Sequence, residues 1–92
     1  MITITTEKIE KSNGVYDIEV TKQNGEVIAV KAIVTAQISQ EDDRGYTLHA
    51  KVGTIIQNNK GTSITGEIPS DILPDIIREF NEIVEELKNS NR

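Results

Sequence analysis

The chain has 92 residues, which allows one domain (1–92) and not two. Fifteen acidic and ten basic side chains give a formal net charge of −5, and so few scattered basic residues argue against sequence-independent binding to nucleic-acid phosphates. The sequence has no cysteine, no apolar run of the ~20 residues that cross a bilayer, and no leader-like start. Disulfides and zinc–thiolate sites are therefore excluded, and we expect a cytoplasmic protein without a cofactor or a metal.

The first two-thirds of the sequence has the pattern of an antiparallel β-meander. Runs rich in Ile, Val and Thr alternate in polarity over residues 2–68, and clusters of Asn, Asp, Ser and Gly separate them. This pattern predicts four to five strands. The first run is expected to be an edge strand that breaks near Thr6, because the isoleucines before it fall out of phase with Ile9.

Two of the hairpin loops are expected to contain three residues each, Gln23–Gly25 and Asn59–Gly61. Every even position from 28 to 38 is apolar, as in the preceding strand, and opposing residues of an antiparallel pair share a face. A two-residue Asn24-Gly25 loop would set even positions against odd ones, whereas the longer loop pairs Val20 with Ile28. Each loop glycine would then adopt the left-handed conformation.

After Pro69 the apolar period changes to about 3.6 residues, which predicts one amphipathic helix over residues 71–88 and a frayed end at 89–92. Ser70 or Asp71 is expected to cap this helix. Its apolar stripe would pack against the even-numbered face of the sheet. The predicted fold class is therefore α+β: a four- to five-stranded antiparallel β-meander (residues 2–68) with one C-terminal amphipathic helix packed on one face.

Acidic side chains recur along the predicted helix at intervals of four or three residues, beside the apolar stripe. This acidic ridge consists of Asp71, Asp75, Glu79, Glu82 and Glu86. One interpretation is an ordinary solvated helix face. The other is a docking surface for a basic protein partner.

The odd-numbered face of the sheet has no second helix to cover it, and it is more apolar than contact with water requires. The residues predicted to form a dimer or partner interface on this face are Val15, Ala29, Ile33 and Ile55. We expect a homodimer, since closed two-fold dimers are the commonest way for one chain to hide such a patch. Curvature of the sheet over the patch, or simple exposure, are the alternatives.

No other group of residues forms a recognisable catalytic or cofactor motif. His49, the only histidine, is expected on the odd-numbered face. The acidic run Glu41-Asp42-Asp43 lacks the alternate spacing of a calcium loop, and Gly53 and Gly66 are expected to mark bends or bulges inside strands. The protein is therefore expected not to be an enzyme.

Two hypotheses of function follow. The first is a small acidic regulator or inhibitor that binds another protein through the acidic ridge or the open sheet face. The order of strands and helix also resembles small single-stranded nucleic-acid-binding modules of the transcriptional positive-cofactor type, which implies a dimer with a basic surface. This alternative requires one positive field formed by five side chains: Lys22, Lys31, His49, Lys51 and Lys60.

Overall fold

The computed structural model describes residues 1–37 and 49–89, which form one five-stranded antiparallel sheet and one helix. The strands lie side by side in chain order: β1 (Ile2–Glu10), β2 (Val15–Gln23), β3 (Glu26–Gln37), β4 (His49–Asn58) and β5 (Gly61–Gly66). The helix, α1 (Leu73–Asn89), follows β5 and packs on one face of the sheet. The predicted α+β meander with one C-terminal helix is confirmed.

The hydrophobic core lies between α1 and one face of the sheet, which we call the covered face. It is built mainly from β-branched aliphatic side chains, which suit a pleated surface, together with one tyrosine and one phenylalanine. Its buried members are Tyr16, Ile18, Val20, Val30, Ala32, Val34, Ala36, Val52, Ile55, Ile76, Phe80, Ile83 and Val84.

The β2–β3 hairpin has a two-residue Asn24-Gly25 turn, and the predicted three-residue loop is wrong. Both turn residues have positive φ, 53° and 86°, as the mirror-image turns of tight hairpins require. A bulge at Ile28 then shifts the register, so that Val20 pairs with Val30. The bulge restores the even-to-even pairing that a two-residue turn alone would prevent, and it places Val27 against the core.

A second bulge, at Val52, changes which residues of β4 face the helix. Thr35 pairs with Lys51, but Val34 pairs with Gly53, so the odd-numbered residues after the bulge lie on the covered face. Ile55 is consequently a core residue with only 1% of its surface exposed. Its predicted position on the odd-numbered open face is wrong.

The β4–β5 hairpin is also one residue shorter than predicted. Its turn is Asn59-Lys60, with Asn58 paired to Gly61 and Ile55 paired to Ile64. Gly61 has a φ of 128°. The predicted positive φ is therefore confirmed for both hairpin glycines, although both predicted loop lengths are wrong.

Strand β1 lies at the edge of the sheet, as predicted, but it runs without a break past Thr6. Four residues, Lys11–Gly14, connect it to β2, and Ile9 pairs with Tyr16 on the covered face. Because side chains alternate along a strand, Ile2 and Ile4 point to the opposite side of the sheet. The isoleucines that appeared out of phase simply occupy the other face.

Strand β5 ends at Gly66 because the chain then crosses over Gly53. A Cβ atom on Gly53 would lie 2.6 Å from the Thr65 carbonyl oxygen and 2.9 Å from Cγ1 of Ile68, so a side chain there would clash. Gly66 has a φ of 97°, and the next residue donates its N–H to the Val52 carbonyl at 2.9 Å. Both glycines thus serve to bring Ile68 against the core.

The helix begins at Leu73 and not at the predicted residue 71. The N–H groups of Ile72 and Leu73 both donate to the Pro69 carbonyl, at 3.1 and 3.0 Å, and form a tight turn before the first helical residue. Neither Ser70 nor Asp71 therefore occupies the capping position, and this part of the prediction is wrong.

Candidate functional site: the helix surface and the open sheet face

The acidic ridge predicted along the helix is not a continuous exposed surface. Asp71 lies before the first helical residue, and Glu79 is only 3% exposed. Glu79 points inward because it adjoins Ile76 and Phe80, the residues of α1 that pack against the sheet. The remaining members keep contact with solvent: Asp75, Glu82 and Glu86.

The Glu79 carboxylate joins the helix to the start of β2. It accepts a hydrogen bond from the Tyr16 hydroxyl at 2.8 Å and from the Asn13 side-chain amide at 2.9 Å. The Asn13 backbone N–H donates to its two oxygens, at 3.1 and 3.3 Å. Burial, and then the bond to Glu79, raise the pKa of Tyr16 well above its ordinary value, so its hydroxyl stays a donor. Glu79 is therefore placed to stabilise the fold and is not accessible to a partner.

Basic side chains neutralise much of the exposed acidic surface of α1. Lys11, in the β1–β2 connection, lies 3.4 Å from Glu86 and 3.9 Å from Glu82. Arg78 lies 3.3 Å from Asp75 and 3.8 Å from Glu82. These pairs are solvent-exposed and individually weak, but they reduce the negative field that a basic partner would meet. The helical pattern could not predict that Lys11 neutralises part of this surface, because Lys11 lies far from α1 in the sequence.

The opposite side of the sheet from α1, the open face, carries apolar side chains that no other element of residues 1–37 and 49–89 covers. Val15, Ile33 and Ile56 lie on successive strands, each displaced by two residues from its neighbour, and form a diagonal of partly exposed side chains. At β1 the same face presents Ile2 and Ile4, which are 62% and 59% exposed. The open face is therefore apolar along its diagonal and at its β1 edge.

Three of the four apolar residues predicted for this face lie on it: Val15, Ala29 and Ile33. Val15 and Ile33 are diagonal neighbours and not a direct pair, since Val15 pairs with Thr35 and Ile33 with Asp17. Ile56 takes the place predicted for Ile55. Gly53 was the available signal, because a glycine inside a strand often marks a bulge.

The charges of the open face are divided between its two halves. The acidic half, on β1 and β2, carries Lys8, Glu10, Asp17 and Glu19, with a net charge of −2. The basic half, on β3 and β4, carries Lys31, Lys51 and Glu26, with a net charge of +1. None of these seven side chains forms an ion pair with another residue that the structure describes.

A shallow hollow of about 360 Å³ lies at the boundary between the two halves. Its walls include Lys8 and Asp17 from the acidic half and Lys31 and Ile33 from β3. The open face is therefore slightly concave where its unpaired charges and its apolar diagonal meet.

His49 starts β4 on the open face, opposite Gln37, as its odd position predicted. It lines a second hollow, of about 450 Å³, together with Ser12 and Asp71. A nucleophile–base–acid triad requires hydrogen bonds between its members, and within residues 1–37 and 49–89 no hydrogen bond joins these three side chains.

The same residues contain no group of three or more His, Asp or Glu side chains able to hold a metal. The acidic run Glu41-Asp42-Asp43 lies outside the described residues.

The positive field required by the nucleic-acid hypothesis is not assembled from its five predicted members. Lys31 and Lys51 lie on the basic half of the open face, with His49 at its end. Lys22 points to the covered side of the sheet, and Lys60 lies in the β4–β5 turn, at the other end of β4 from His49. The aromatic Tyr16 is buried in the core and cannot stack on a base.

No protein-family model, curated protein or solved structure matches this chain. Among the described residues, no helix combines the length and the apolar character that a bilayer-spanning segment needs. A functional assignment therefore depends on the surfaces themselves.

Proposed function

We propose that this protein is a non-enzymatic, cytoplasmic protein-binding module that uses the open face of its sheet. The observation that carries the proposal is the apolar diagonal of Val15, Ile33 and Ile56. The exposed Ile2 and Ile4 form a second apolar group on the same face, at the opposite end of β1 from the Glu10–Val15 pair. Single exposed apolar residues are ordinary on protein surfaces, whereas contiguous apolar patches with a polar rim are typical of association sites.

The open face is a better binding surface than the helix. The acids of α1 are interrupted by the buried Glu79 and paired with Lys11 and Arg78. The charges of the open face, in contrast, have no ion-pair partner among the described residues and remain available to a bound protein.

Site-specific photo-crosslinking in cells that express the protein tests this proposal. A benzophenone amino acid replaces Thr54, which lies beside Ile33 on the open face, or, in a second variant, Glu85, which is exposed on α1. We expect protein adducts from the probe at position 54 and few from the probe at position 85. Adding Ile33→Glu should remove the adducts, because it places a charge at the centre of the diagonal.

Equal adducts from both positions, or none from position 54, would contradict the proposal. The alternative, a single-strand nucleic-acid-binding module, is tested by fluorescence anisotropy with labelled oligonucleotides at low salt. We expect no salt-dependent affinity, because the basic residues do not form one field. Binding tighter than about 1 µM that weakens steeply with added salt would favour the alternative.

A further inference from the structure

We infer that the partner of the open face is a second copy of this chain, stacked face to face about a two-fold axis parallel to the strands. This inference rests on the proposed function and names the occupant of the same surface. It follows from the division of the open face into an acidic and a basic half, and from the symmetry that a closed dimer imposes.

A two-fold dimer uses the same patch on both copies, so its surface must complement itself. An axis that runs parallel to the strands, above the line between β2 and β3, places the acidic half of each copy over the basic half of the other. The net charge of −2 on one half then faces the net charge of +1 on the other, twice in the dimer. Complementary charge of this kind favours one partner and one orientation.

The registers of the strands identify the residues that meet. Glu19 and Lys31 are cross-strand neighbours on either side of this axis, so Glu19 of each copy lies over Lys31 of the other. Glu10 and Lys51 lie in one row with Val15 and Thr35, and the rotation brings them together in the same way. An axis perpendicular to the strands would instead place β2 over β2 and oppose acid to acid.

The charge balance of the open face also favours it as the contact surface between two copies. The whole chain carries −5, whereas the seven charges of the open face sum to −1. Two copies can therefore approach each other through this face with little net repulsion between the surfaces in contact.

The dimensions of the face are sufficient for a stable contact. Strands β1–β4 contain 9, 9, 12 and 10 residues. The two-fold axis between β2 and β3 superposes four strands of each copy, and with strands about 4.8 Å apart and about 3.3 Å per residue the overlap covers about 600 Å². A standard protein interface buries about 800 Å² on each partner. The overlap is thus close to the size that a homodimer needs.

Two complementary charge-reversal variants test this arrangement. The basic variant carries Glu10→Lys and Glu19→Lys, and the acidic variant carries Lys31→Glu and Lys51→Glu. Each variant gives both halves of its face the same sign, so each should self-associate at least tenfold more weakly than the wild type in sedimentation at low salt. An equimolar mixture should form a heterodimer, because positions 10 and 19 of each chain then oppose charges of the other sign at positions 51 and 31 of its partner.

The mixture distinguishes intermolecular charge contacts from effects on folding, because mixing restores attraction between the chains without changing the contacts inside either chain. A control variant, Glu7→Lys with Glu85→Lys, changes the net charge as the basic variant does but lies off the open face, and it should associate like the wild type.

The inference is overturned if the mixture stays monomeric, or if either variant alone associates like the wild type. A monomeric wild type together with a cross-linked adduct to a different protein from position 54 would overturn it and leave the proposed function standing. A monomeric wild type without any adduct would overturn both.

Discussion

The two faces of the sheet are formed by the same strands, but one packs against the helix and the other faces solvent. The covered face packs against α1, and the core between them is apolar except for the buried carboxylate of Glu79, which accepts hydrogen bonds from Asn13 and Tyr16. The open face mixes an apolar diagonal with seven charges that have no ion-pair partner among the described residues. The covered face therefore maintains the fold, whereas the open face leaves apolar and charged groups in contact with solvent.

Truncation in the covered face should have the largest effect on stability. Phe80→Ala removes a fully buried ring between helix and sheet, and we expect it to lower the free energy of unfolding by about 3–5 kcal/mol. Urea unfolding followed by circular dichroism measures the loss. A loss below about 1 kcal/mol would show that α1 contributes little to the core.

The buried carboxylate should come next. Glu79→Ala leaves the Tyr16 hydroxyl and the Asn13 N–H groups without their acceptor, and we expect a loss of about 3 kcal/mol in the same assay. The matched variant Glu79→Gln retains one acceptor oxygen and should lose less. If both variants were as stable as the wild type, Glu79 would be dispensable for the fold, and the continuous acidic ridge would again be a possible binding surface.

The raised pKa of Tyr16 predicts a dependence of stability on alkaline pH. The unfolded chain releases the phenolic proton near pH 10, whereas the folded chain retains it to higher pH. The stability contributed by this group is thus complete below about pH 10 and falls by about 1.4 kcal/mol per pH unit above it. Tyr16→Phe should lack this slope. Parallel slopes for the two proteins above pH 10 would contradict the buried position of the hydroxyl.

The smallest effect is expected on the open face. Ile33→Ala removes a partly exposed side chain, so the unfolding free energy of the monomer should fall by less than about 1 kcal/mol. The measurement is made at a protein concentration low enough to keep the chain monomeric. A loss comparable to that of Phe80→Ala would mean that the monomer itself already buries this face.

The sequence pattern predicted the elements and their order, but not the register, because the alternation of polarity does not locate the two bulges, although Gly53 marks the strand that contains one of them. Val27 and Ile28 are both apolar, as are Ile55 and Ile56, so either member of each pair suits the core. A bulge inserts one residue and exchanges the two. Only the pairing with neighbouring strands, a tertiary interaction, decides which isoleucine is buried and which lies on the open face.

The helix surface shows the same limit for charged residues. Glu79 follows the spacing of the acidic ridge and also lies next to the apolar stripe, and the sequence offers no reason to prefer burial. Its donors, Asn13 and Tyr16, lie more than sixty positions away in the chain. A burial that depends on such distant partners could not be read from the local pattern.

The most direct test compares two apolar-to-acidic substitutions on opposite faces. Ile33 lies at the centre of the open face, whereas Ile64 is 41% exposed on the covered side of β5, opposite Ile55. Sedimentation equilibrium from about 1 to about 300 µM, a range that brackets weak dimers, gives the mass of each protein. The mass of the wild type and of Ile64→Glu should rise from the 10.2 kDa of one chain towards twice that value, while Ile33→Glu stays at 10.2 kDa. A wild type that remains at 10.2 kDa throughout, or equal masses for the two variants, would contradict the account.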